Sequence, residues 1–133
     1  LPIFGASTAL TKYCTNSDNG TVDDKTVLDP EDDAATANWG PDWCMPTKEQ
    51  MNELINTANT TQEWTTLNGV NGLKITSKKY PDRSIFLPAG GIKTKEDPTR
   101  TGAEGSYWSS NLFETYCTHY QLHFRCHHLL MLV

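Results

Sequence analysis

A helical period of apolar residues marks one stretch in the first half of the chain. Four apolar positions follow the spacing i, i+3, i+4 and i+7, and they are Met51, Leu54, Ile55 and Ala58. Thr47 precedes them, with Gln50 three residues later, as in the capping box that begins many helices. The pattern predicts a helix over Thr47–Ala58 that packs its apolar face on the core.

A second set of helix signals lies around an earlier run of acids. Asp29 suits the N-cap, Pro30 suits the first helical position, and acids in the first turn interact favourably with the helix dipole. Gly40 and Pro41 are typical of a helix end, so the sequence predicts a helix over Pro30–Trp39. A calcium loop is the alternative, but it needs oxygen ligands at alternating positions around a glycine, which this run does not have. We therefore interpret the acids as capping residues.

The apolar pattern changes from helical to alternating after the second helix, which predicts β-strands. The predicted strands are Leu73–Ser77, Ser84–Leu87 and Tyr107–Asn111. Asn68-Gly69 and Asn71-Gly72 are both typical of tight turns between strands, and the polar segment Tyr80–Arg83 predicts another turn. The charged segment Ile92–Gly105 is predicted to be a long loop.

The C-terminal segment alternates between apolar and polar side chains. Under strand periodicity, the side chains that face the core are those of Tyr120, Leu122, Phe124 and Cys126. The polar row on the other side consists of His119, Gln121, His123, Arg125 and His127. A polar row on a rigid strand suits ligand recognition, although the solvated side of any antiparallel sheet has the same pattern. We favour recognition, because three histidines and an arginine are unusual for solubility alone.

The order of these elements predicts the fold class. Two helices followed by alternating segments indicate an α+β domain with a mostly antiparallel sheet. The large apolar residues predicted to form its core are Trp39, Trp43, Leu54, Ile55, Ile85, Phe86 and Trp108.

Composition and charge narrow the class of protein further. The chain has 133 residues, which suits a single domain over 1–133. Eleven basic and sixteen acidic residues give a net charge of −5 without a Lys/Arg cluster, so nucleic acid is not an expected partner. The longest apolar run, Leu129–Val133, is far shorter than the roughly 20 residues of a membrane span and is predicted to be an exposed apolar tail. Four cysteines leave three disulfide pairings open, and they are Cys14, Cys44, Cys117 and Cys126.

The sequence contains no recognisable catalytic or cofactor motif. No serine lies in a G-x-S-x-G elbow, and no glycine cluster joins a strand to a helix. His119 and His123 would lie about 13 Å apart along one strand, too far to share a metal ion. We therefore expect no enzymatic activity, no cofactor and no metal. A zinc site completed by Cys126 or His128 with ligands from elsewhere is the alternative.

Five blocks of the sequence closely resemble the Fibrobacter succinogenes major paralogous domain. The blocks are Leu10–Gly40, Trp43–Ile55 (WCMPTKEQMNELI), Trp64–Lys78 (WTTLNGVNGLKITSK), Ser84–Gly91 (SIFLPAGG) and Gly105–Leu112 (GSYWSSNL). The family is common in Bacteroidetes, mostly as exported or lipid-anchored surface proteins, and its fold is similar to that of C-type lectins and formylglycine-generating proteins. The resemblance implies a C-type-lectin-like α+β domain at the cell surface, with two helices and a mostly antiparallel sheet.

Some members of this family are the variable proteins of diversity-generating retroelements, in which mutagenesis rewrites chosen positions near the C-terminus. The chain resembles them through the frame Tyr120, Leu122 and Phe124, with interchangeable residues between. The ligand contacts that the resemblance implies are Phe113, Glu114, Tyr116, Thr118, His119, Gln121, His123, Arg125, His127 and His128. The implied function is a non-enzymatic ligand-binding domain of a bacterial surface or phage-associated protein, with a protein or a glycan as its partner.

The chain departs from the family at both ends. The usual first strand is not recognisable, and the sequence ends in CHHLLMLV instead of the usual Arg-x-x-Gly-x-Ser-Val-Arg-Pro-Val, so truncated, frameshifted or replaced ends are expected. The calcium-binding triplets of true C-type lectins are absent, so calcium-dependent sugar binding is not carried over. Formylglycine-generating oxidases use a closely spaced cysteine pair, whereas Cys117 and Cys126 are nine residues apart. The alternatives are therefore a structural module of a larger surface protein and, less favoured, such an oxidase.

Overall fold

Two helices precede eight strands in the part of the chain that the computed structural model describes, residues 10–93, 98–113, 118–125 and 128–132. The helices are α1 (Ala34–Trp39) and α2 (Lys48–Ile55). The strands are β1 (Thr60–Leu67), β2 (Val70–Ser77), β3 (Ser84–Pro88), β4 (Ile92–Lys93), β5 (Pro98–Thr99), β6 (Glu104–Phe113), β7 (Thr118–Arg125) and β8 (His128–Leu132). They form sheets in the orders β1-β2-β3, β4-β5 and β6-β7-β8, with antiparallel pairing wherever the register is described. The predicted α+β class with antiparallel sheets is confirmed.

The internal contacts of these residues divide into two compact units. Among the described residues, the first unit comprises 10–48, 108–113 and 118–120. The second comprises 49–93, 98–107, 121–125 and 128–132. The division falls within α2, β6 and β7 rather than at a linker.

The side chain of Asp33 begins helix α1 in the first unit. Its Oδ1 accepts hydrogen bonds from the backbone N–H groups of Ala35 and Thr36, at 2.9 and 3.0 Å. Its Oδ2 accepts a third from the N–H of Met45 at 2.8 Å, and Asp33 is buried. At the other end, Gly40 has a φ of 94°, which glycine adopts without strain, and its N–H bonds to the carbonyl of Thr36. The predicted end of the helix at Gly40 is confirmed.

The start of this helix was predicted too early, at Pro30 instead of Ala34. The N–H groups of Asp32 and Asp33 both donate to the carbonyl of Asp29, which closes one separate turn. Asp33 then has an extended backbone with φ −71° and ψ 113°, so the turn does not continue into α1. The capping residue of α1 is therefore Asp33.

Backbone hydrogen bonds hold the end of β6 that belongs to the first unit. The N–H of Leu28 donates to the carbonyl of Ser110 at 3.0 Å, and the N–H of Leu112 donates to the carbonyl of Thr26 at 2.7 Å. The N–H of Ser110 in turn donates to the carbonyl of Pro46 at 2.9 Å. This strand is longer at both ends than the segment predicted from the sequence.

Strands β1 and β2 form a hairpin in the second unit. Asn68 and Gly69 have φ values of 49° and 80°, as in the type I′ turns that join such strands, so this predicted turn is confirmed. The turn predicted at Asn71-Gly72 is wrong, because these residues lie within β2. A Cβ at Gly72 would lie 2.4 Å from the carbonyl oxygen of Leu87, so a glycine is needed there for the close approach of β3. Strand β1 was not predicted.

Helix α2 ends three residues before its predicted end. The N–H of Ala58 donates to Oδ1 of Asn56 at 2.9 Å, and this side-chain bond offers the backbone an alternative to the helix after Ile55. Met51 is buried, so the apolar face predicted for this helix is confirmed at that position.

Two segments predicted to be irregular contain strands. Ile92–Gly105 includes β4, β5 and the first residues of β6. The segment predicted to be an apolar tail forms β8, which pairs with β7 in the register Phe124 to Leu129. The turn at Tyr80–Arg83 is confirmed by a 2.9 Å hydrogen bond between its terminal residues. None of the helices in the described residues is long and apolar enough to cross a membrane.

Phe124 of β7 lies in the core of the second unit. Its ring is fully buried, stacks on Tyr107 with 6.0 Å between ring centroids, and meets Trp64 edge-on at 6.2 Å. The other members of this core are Leu73, Ile75 and Ala89, with Leu54 and Leu87 packed against them. Leu122 is buried too. The inward set predicted for β7 is thus confirmed at the two positions whose side chains the structure describes.

Four residues predicted to form the core are instead exposed. The exposed fractions are 69% for Trp39, 58% for Trp43, 53% for Trp108 and 44% for Ile85. Trp39 and Trp43 flank the turn after α1 and meet edge to face, with ring centroids 5.7 Å apart, so each shields part of the other. The other three residues predicted to form the core are partly buried, and they are Leu54, Ile55 and Phe86. Size and apolar character alone did not indicate which way a side chain points.

The backbone of Gly105 in β6 lies directly against the ring of Phe124. A Cβ at this position would lie 2.5 Å from the ring atom Cζ and 3.0 Å from the carbonyl oxygen of Pro88. We expect Gly105→Ala to lower the free energy of unfolding by about 1–3 kcal/mol, because the added methyl group has no space in a filled core. Urea unfolding measures the change.

Gly90→Ala is the matched control, since a Cβ at Gly90 would meet no described atom within 4 Å. We expect it to change the free energy of unfolding by no more than about 0.5 kcal/mol. Equal destabilisation by the two substitutions would contradict the packing of Gly105 on Phe124.

Candidate functional site

A buried carboxylate, Glu104, lies at the start of β6 in the second unit. The residue is 1% exposed, and each of its carboxylate oxygens contacts an arginine. Oε2 lies 2.7 Å from Nε of Arg125, and Oε1 lies 3.1 Å from Nη1 of Arg100. The side chains of Arg125 and Arg100 are 54% and 55% exposed. A buried negative charge is therefore paired with two cations that reach the solvent.

His123 and Ser106 extend this set of contacts along β7 and β6. Oγ of Ser106 lies 2.7 Å from Nδ1 of His123, and Nε of Arg125 donates to Nε2 of His123 at 3.3 Å. The His123 side chain is buried. These residues are named the Glu104 cluster, which consists of Arg100, Glu104, Ser106, His123 and Arg125.

The alternation of side chains along the two strands explains why the cluster forms. Glu104 contacts Arg125 while Ser106 contacts His123, so the contacts run in opposite directions along β6 and β7, as between antiparallel neighbours. Phe124, which lies between His123 and Arg125, points to the other side into the core, where the backbone of Gly105 lies against its ring. One side of these strand segments therefore carries core residues, and the other carries the cluster.

Arg100 reaches the cluster from a turn rather than from a strand. Its φ of 62° is in the left-handed region, which costs a non-glycine residue about 1 kcal/mol or more. Its carbonyl accepts hydrogen bonds from the N–H groups of Ala103 and Glu104, at 3.0 and 3.2 Å. This turn holds Arg100 four residues before Glu104, with the two side chains paired.

Ser106, His123 and Glu104 have the composition of a hydrolytic triad but not its hydrogen bonds. Glu104 Oε2 lies 3.8 Å from His123 Nε2, which is too long for a hydrogen bond, and Arg125 Nε binds both atoms. With Nε2 as an acceptor, the neutral ring carries its proton on Nδ1 and donates it to Ser106. A base that activates a serine needs an unprotonated nitrogen facing the hydroxyl, so this arrangement does not activate Ser106.

The ligand contacts implied by the resemblance are described to different extents. Arg125 is exposed, as expected for a residue of the polar row. His123 was expected to face the solvent, and this expectation is wrong, because its ring is enclosed by Ser106, Arg125 and Glu104. The backbone alone is described, within β6, β7 or β8, for Phe113, Thr118, His119, Gln121 and His128. The residues that lie outside the described part of the chain are Glu114, Tyr116 and His127, together with Cys117 and Cys126.

The sequence interpretation missed three members of the cluster, Arg100, Glu104 and Ser106. The first two lie in the segment Ile92–Gly105, which was predicted to be a long charged loop. Their opposite charges at a spacing of four residues were a signal for a pair, but not for its burial. The contact between Glu104 and Arg125 joins residues far apart in the chain, which no local pattern indicates.

A second charged group lies in the first unit, around Lys12. Oxygens of Asp29, Glu31 and Asp32 lie within 4.8 Å of one another, close enough in principle to share a cation. The ammonium group of Lys12 already contacts all three, at 2.9 Å from Asp29 and 3.1 Å from Glu31, and Lys25 contacts Asp29 at 2.5 Å. The lysines thus supply the positive charge that a metal ion would supply.

The lysines also shift the protonation of these acids. Hydrogen bonds from Lys25 and Lys12 hold the pKa of Asp29 below its ordinary value, and those from Lys12 and Tyr13 do the same for Asp32. The same contacts with Asp32 and Asp29 raise the pKa of Lys12. The acids therefore stay ionised in the folded chain to a lower pH than ordinary carboxyl groups.

An apolar groove opens on the second unit beside β2 and β3. Its volume is about 210 Å³, below the roughly 300–1,000 Å³ of typical small-molecule sites. Leu54, Ile75 and Ile85 form its apolar walls. The groove is a weaker candidate site than the Glu104 cluster, since it has little polar surface to orient a ligand.

Comparisons of the chain with protein-family models, curated proteins and solved structures found no match. The resemblance to the Fibrobacter succinogenes major paralogous domain thus stays a prediction.

Removal of Lys12 tests the charged group of the first unit. We expect Lys12→Met to raise the pKa of Asp32, because its strongest hydrogen-bond donor is lost. Carboxyl-carbon NMR titration of both proteins measures the shift. The depressed pKa values also mean that the stability from these contacts is present above about pH 4 and is lost as the pH falls through the lowered values.

Lys79→Met serves as the control, because it removes the same charge from a different place. Lys79 lies in the second unit, where it contacts the ring of Tyr80. This substitution should leave the titration of Asp32 as it is in the unmodified chain. A pKa of Asp32 that is unchanged by Lys12→Met would contradict the contacts described.

Proposed function

We propose that this chain is a non-enzymatic ligand-binding domain whose recognition surface includes Arg125. The observation that carries the proposal is the exposed guanidinium of Arg125 held at 2.7 Å by the buried carboxylate of Glu104. A long cationic side chain ordinarily loses conformational freedom when it binds a partner. Arg125 is already fixed through its inner nitrogen, so less of that loss remains for the binding step.

Ser106, His123 and Glu104 lack the hydrogen bonds of a hydrolytic triad, which supports binding rather than hydrolysis. The nitrogen of His123 that would face a carboxylate in a triad faces the guanidinium of Arg125 instead. The oxidase alternative has no support in a closely spaced cysteine pair, since Cys117 and Cys126 are nine residues apart. Cys14 and Cys44, the two cysteines within the described residues, carry free thiols.

The resemblance to a known family adds a fold, a family and a location to this proposal. We infer a C-type-lectin-like fold, membership of the Fibrobacter succinogenes major paralogous domain family, and display at a bacterial cell surface or on a phage. The order of two helices followed by antiparallel strands is compatible with that fold. The candidate contacts of the polar row would then be diversified positions, and the ligand would be a protein or a glycan.

Arrays of glycans and of bacterial surface proteins, probed with the full chain, test this function. A reproducible ligand whose signal is lost in Arg125→Lys supports the proposal, because lysine keeps the charge but loses the guanidinium fork. Arg83→Lys is the matched control, since Arg83 is an arginine of the second unit whose guanidinium contacts the ring of Tyr80. Failure to bind any array component, or equal loss of signal in both variants, favours the structural module.

Substitutions at His123 and Arg125 should differ in their effects on stability and on ligand binding, because His123 is buried and Arg125 is exposed. We expect His123→Ala to lower the free energy of unfolding by about 1–3 kcal/mol, since it leaves a cavity and removes the partner of Ser106. Ligand binding by the folded fraction should survive this change. Thermal unfolding together with the array signal measures both effects, and loss of the signal at unchanged stability would instead place His123 in direct contact with the ligand.

A further inference from the structure

We propose that the Glu104 cluster is an oxyanion-binding site, in which the outward N–H groups of Arg100 and Arg125 receive a carboxylate, sulfate or phosphate group of the ligand. This site rests on the proposed ligand-binding function and names the chemistry that the ligand would present.

The charges of the cluster leave a local positive surplus. Two of the three arginines in the chain converge on one carboxylate, so Glu104 neutralises one of the two guanidinium charges. The chain as a whole has a net charge of −5, so the positive surplus comes from the local arrangement of charges and not from the overall composition.

The charged group around Lys12 has the opposite balance. Three carboxylates there contact two lysines, Lys12 and Lys25, which leaves a surplus of negative charge. Both groups consist of carboxylates paired with cations, but the net charge is positive at the Glu104 cluster and negative around Lys12. An anionic ligand is therefore favoured at the Glu104 cluster and disfavoured at the other.

The arginines keep donors available for a ligand. Arg125 contacts Glu104 and His123 through Nε, and Arg100 contacts Glu104 through Nη1. Among the described residues, no acceptor is found for Nη1 and Nη2 of Arg125 or for Nε and Nη2 of Arg100. Both side chains are more than half exposed, so these donors are accessible. Planar pairs of guanidinium donors match the spacing of oxygens in carboxylate, sulfate and phosphate groups.

The buried carboxylate acts as the positioning group of this site. Oε2 of Glu104 contacts Arg125, and Arg100 donates to Oε1 and, at 3.4 Å, to Oε2, so both guanidinium groups lie within about 3 Å of one small anchor. The left-handed backbone of Arg100 is strained for an arginine, yet it directs this side chain to the anchor. Two arginines fixed close together, despite their mutual repulsion, present a pre-formed site for an anion.

The side chains of the three arginines give three Nε–H resonances, which makes a direct test possible. The full chain, labelled with ¹⁵N, is titrated with sodium acetate, sodium sulfate and sodium phosphate, and with sodium chloride at matched ionic strength. We expect saturable shifts at Arg100 and Arg125, with a dissociation constant on the order of 1–10 mM, and no saturable shift at Arg83. The comparison of acetate, sulfate and phosphate identifies which oxyanion the site prefers.

Two substitutions and one control complete the test. Arg100→Lys and Arg125→Lys should each weaken oxyanion binding by about tenfold or more, because lysine lacks the planar fork. Arg83→Lys should leave it unchanged. Shifts that fail to saturate, that occur equally with chloride, or that are as large at Arg83 would overturn the site.

The array experiment and the anion titration can fail separately. Saturable oxyanion binding without any array ligand would support the site and count against the ligand-binding domain as proposed. An array ligand that is lost in Arg125→Lys, without oxyanion shifts, would support the domain and overturn the oxyanion site.

Discussion

The burial of Glu104 is the constraint on which much of the second unit depends. An ionised carboxylate removed from water loses several kcal/mol of hydration, roughly, unless other charges and donors replace the solvent. Arg125 and Arg100 supply that replacement at 2.7 and 3.1 Å, from a strand and from a turn. The carboxylate therefore ties together three segments of the chain, and it fixes two exposed cations in the process.

The same strand segments carry the hydrophobic core on their other side. Gly105 follows Glu104 and lies against the ring of Phe124, which itself follows His123. A slip of one residue between β6 and β7 would bring either the carboxylate to the core side or Phe124 to the polar side. The polar cluster and the apolar core thus specify one register together, which links the proposed recognition surface to the stability of the fold.

Signals that span a few residues predicted their part of the structure well. The turn at Asn68-Gly69 and the helix end at Gly40 depend on backbone conformations that these residue types favour. The alternation in β7 placed Leu122 and Phe124 correctly, because a strand with one buried side has a period of two. The fold class followed from the order of such local elements.

Features that depend on distant contacts were not predictable in this way. The capping carboxylate of Asp33 is also bonded by the N–H of Met45, twelve residues away, and no local pattern shows this contact. The local signals at Asp29 and Pro30 therefore placed the start of α1 too early. Glu104 is buried by partners on another strand and in a turn, which its chain neighbours Ala103 and Gly105 do not indicate. Trp39 has the size of a core residue but is exposed at the last position of α1. One sequence shows the side chains that are available, and only the tertiary arrangement determines their partners.

A double-mutant cycle between Glu104→Gln and Arg125→Met measures the central interaction most directly, with the free energy of unfolding determined by urea for the four proteins. If the buried carboxylate holds the guanidinium as described, the two effects should be non-additive, with a coupling energy above about 1 kcal/mol. Additive effects, with a coupling within about 0.5 kcal/mol of zero, would contradict the account, because Arg125 would then not be held by Glu104.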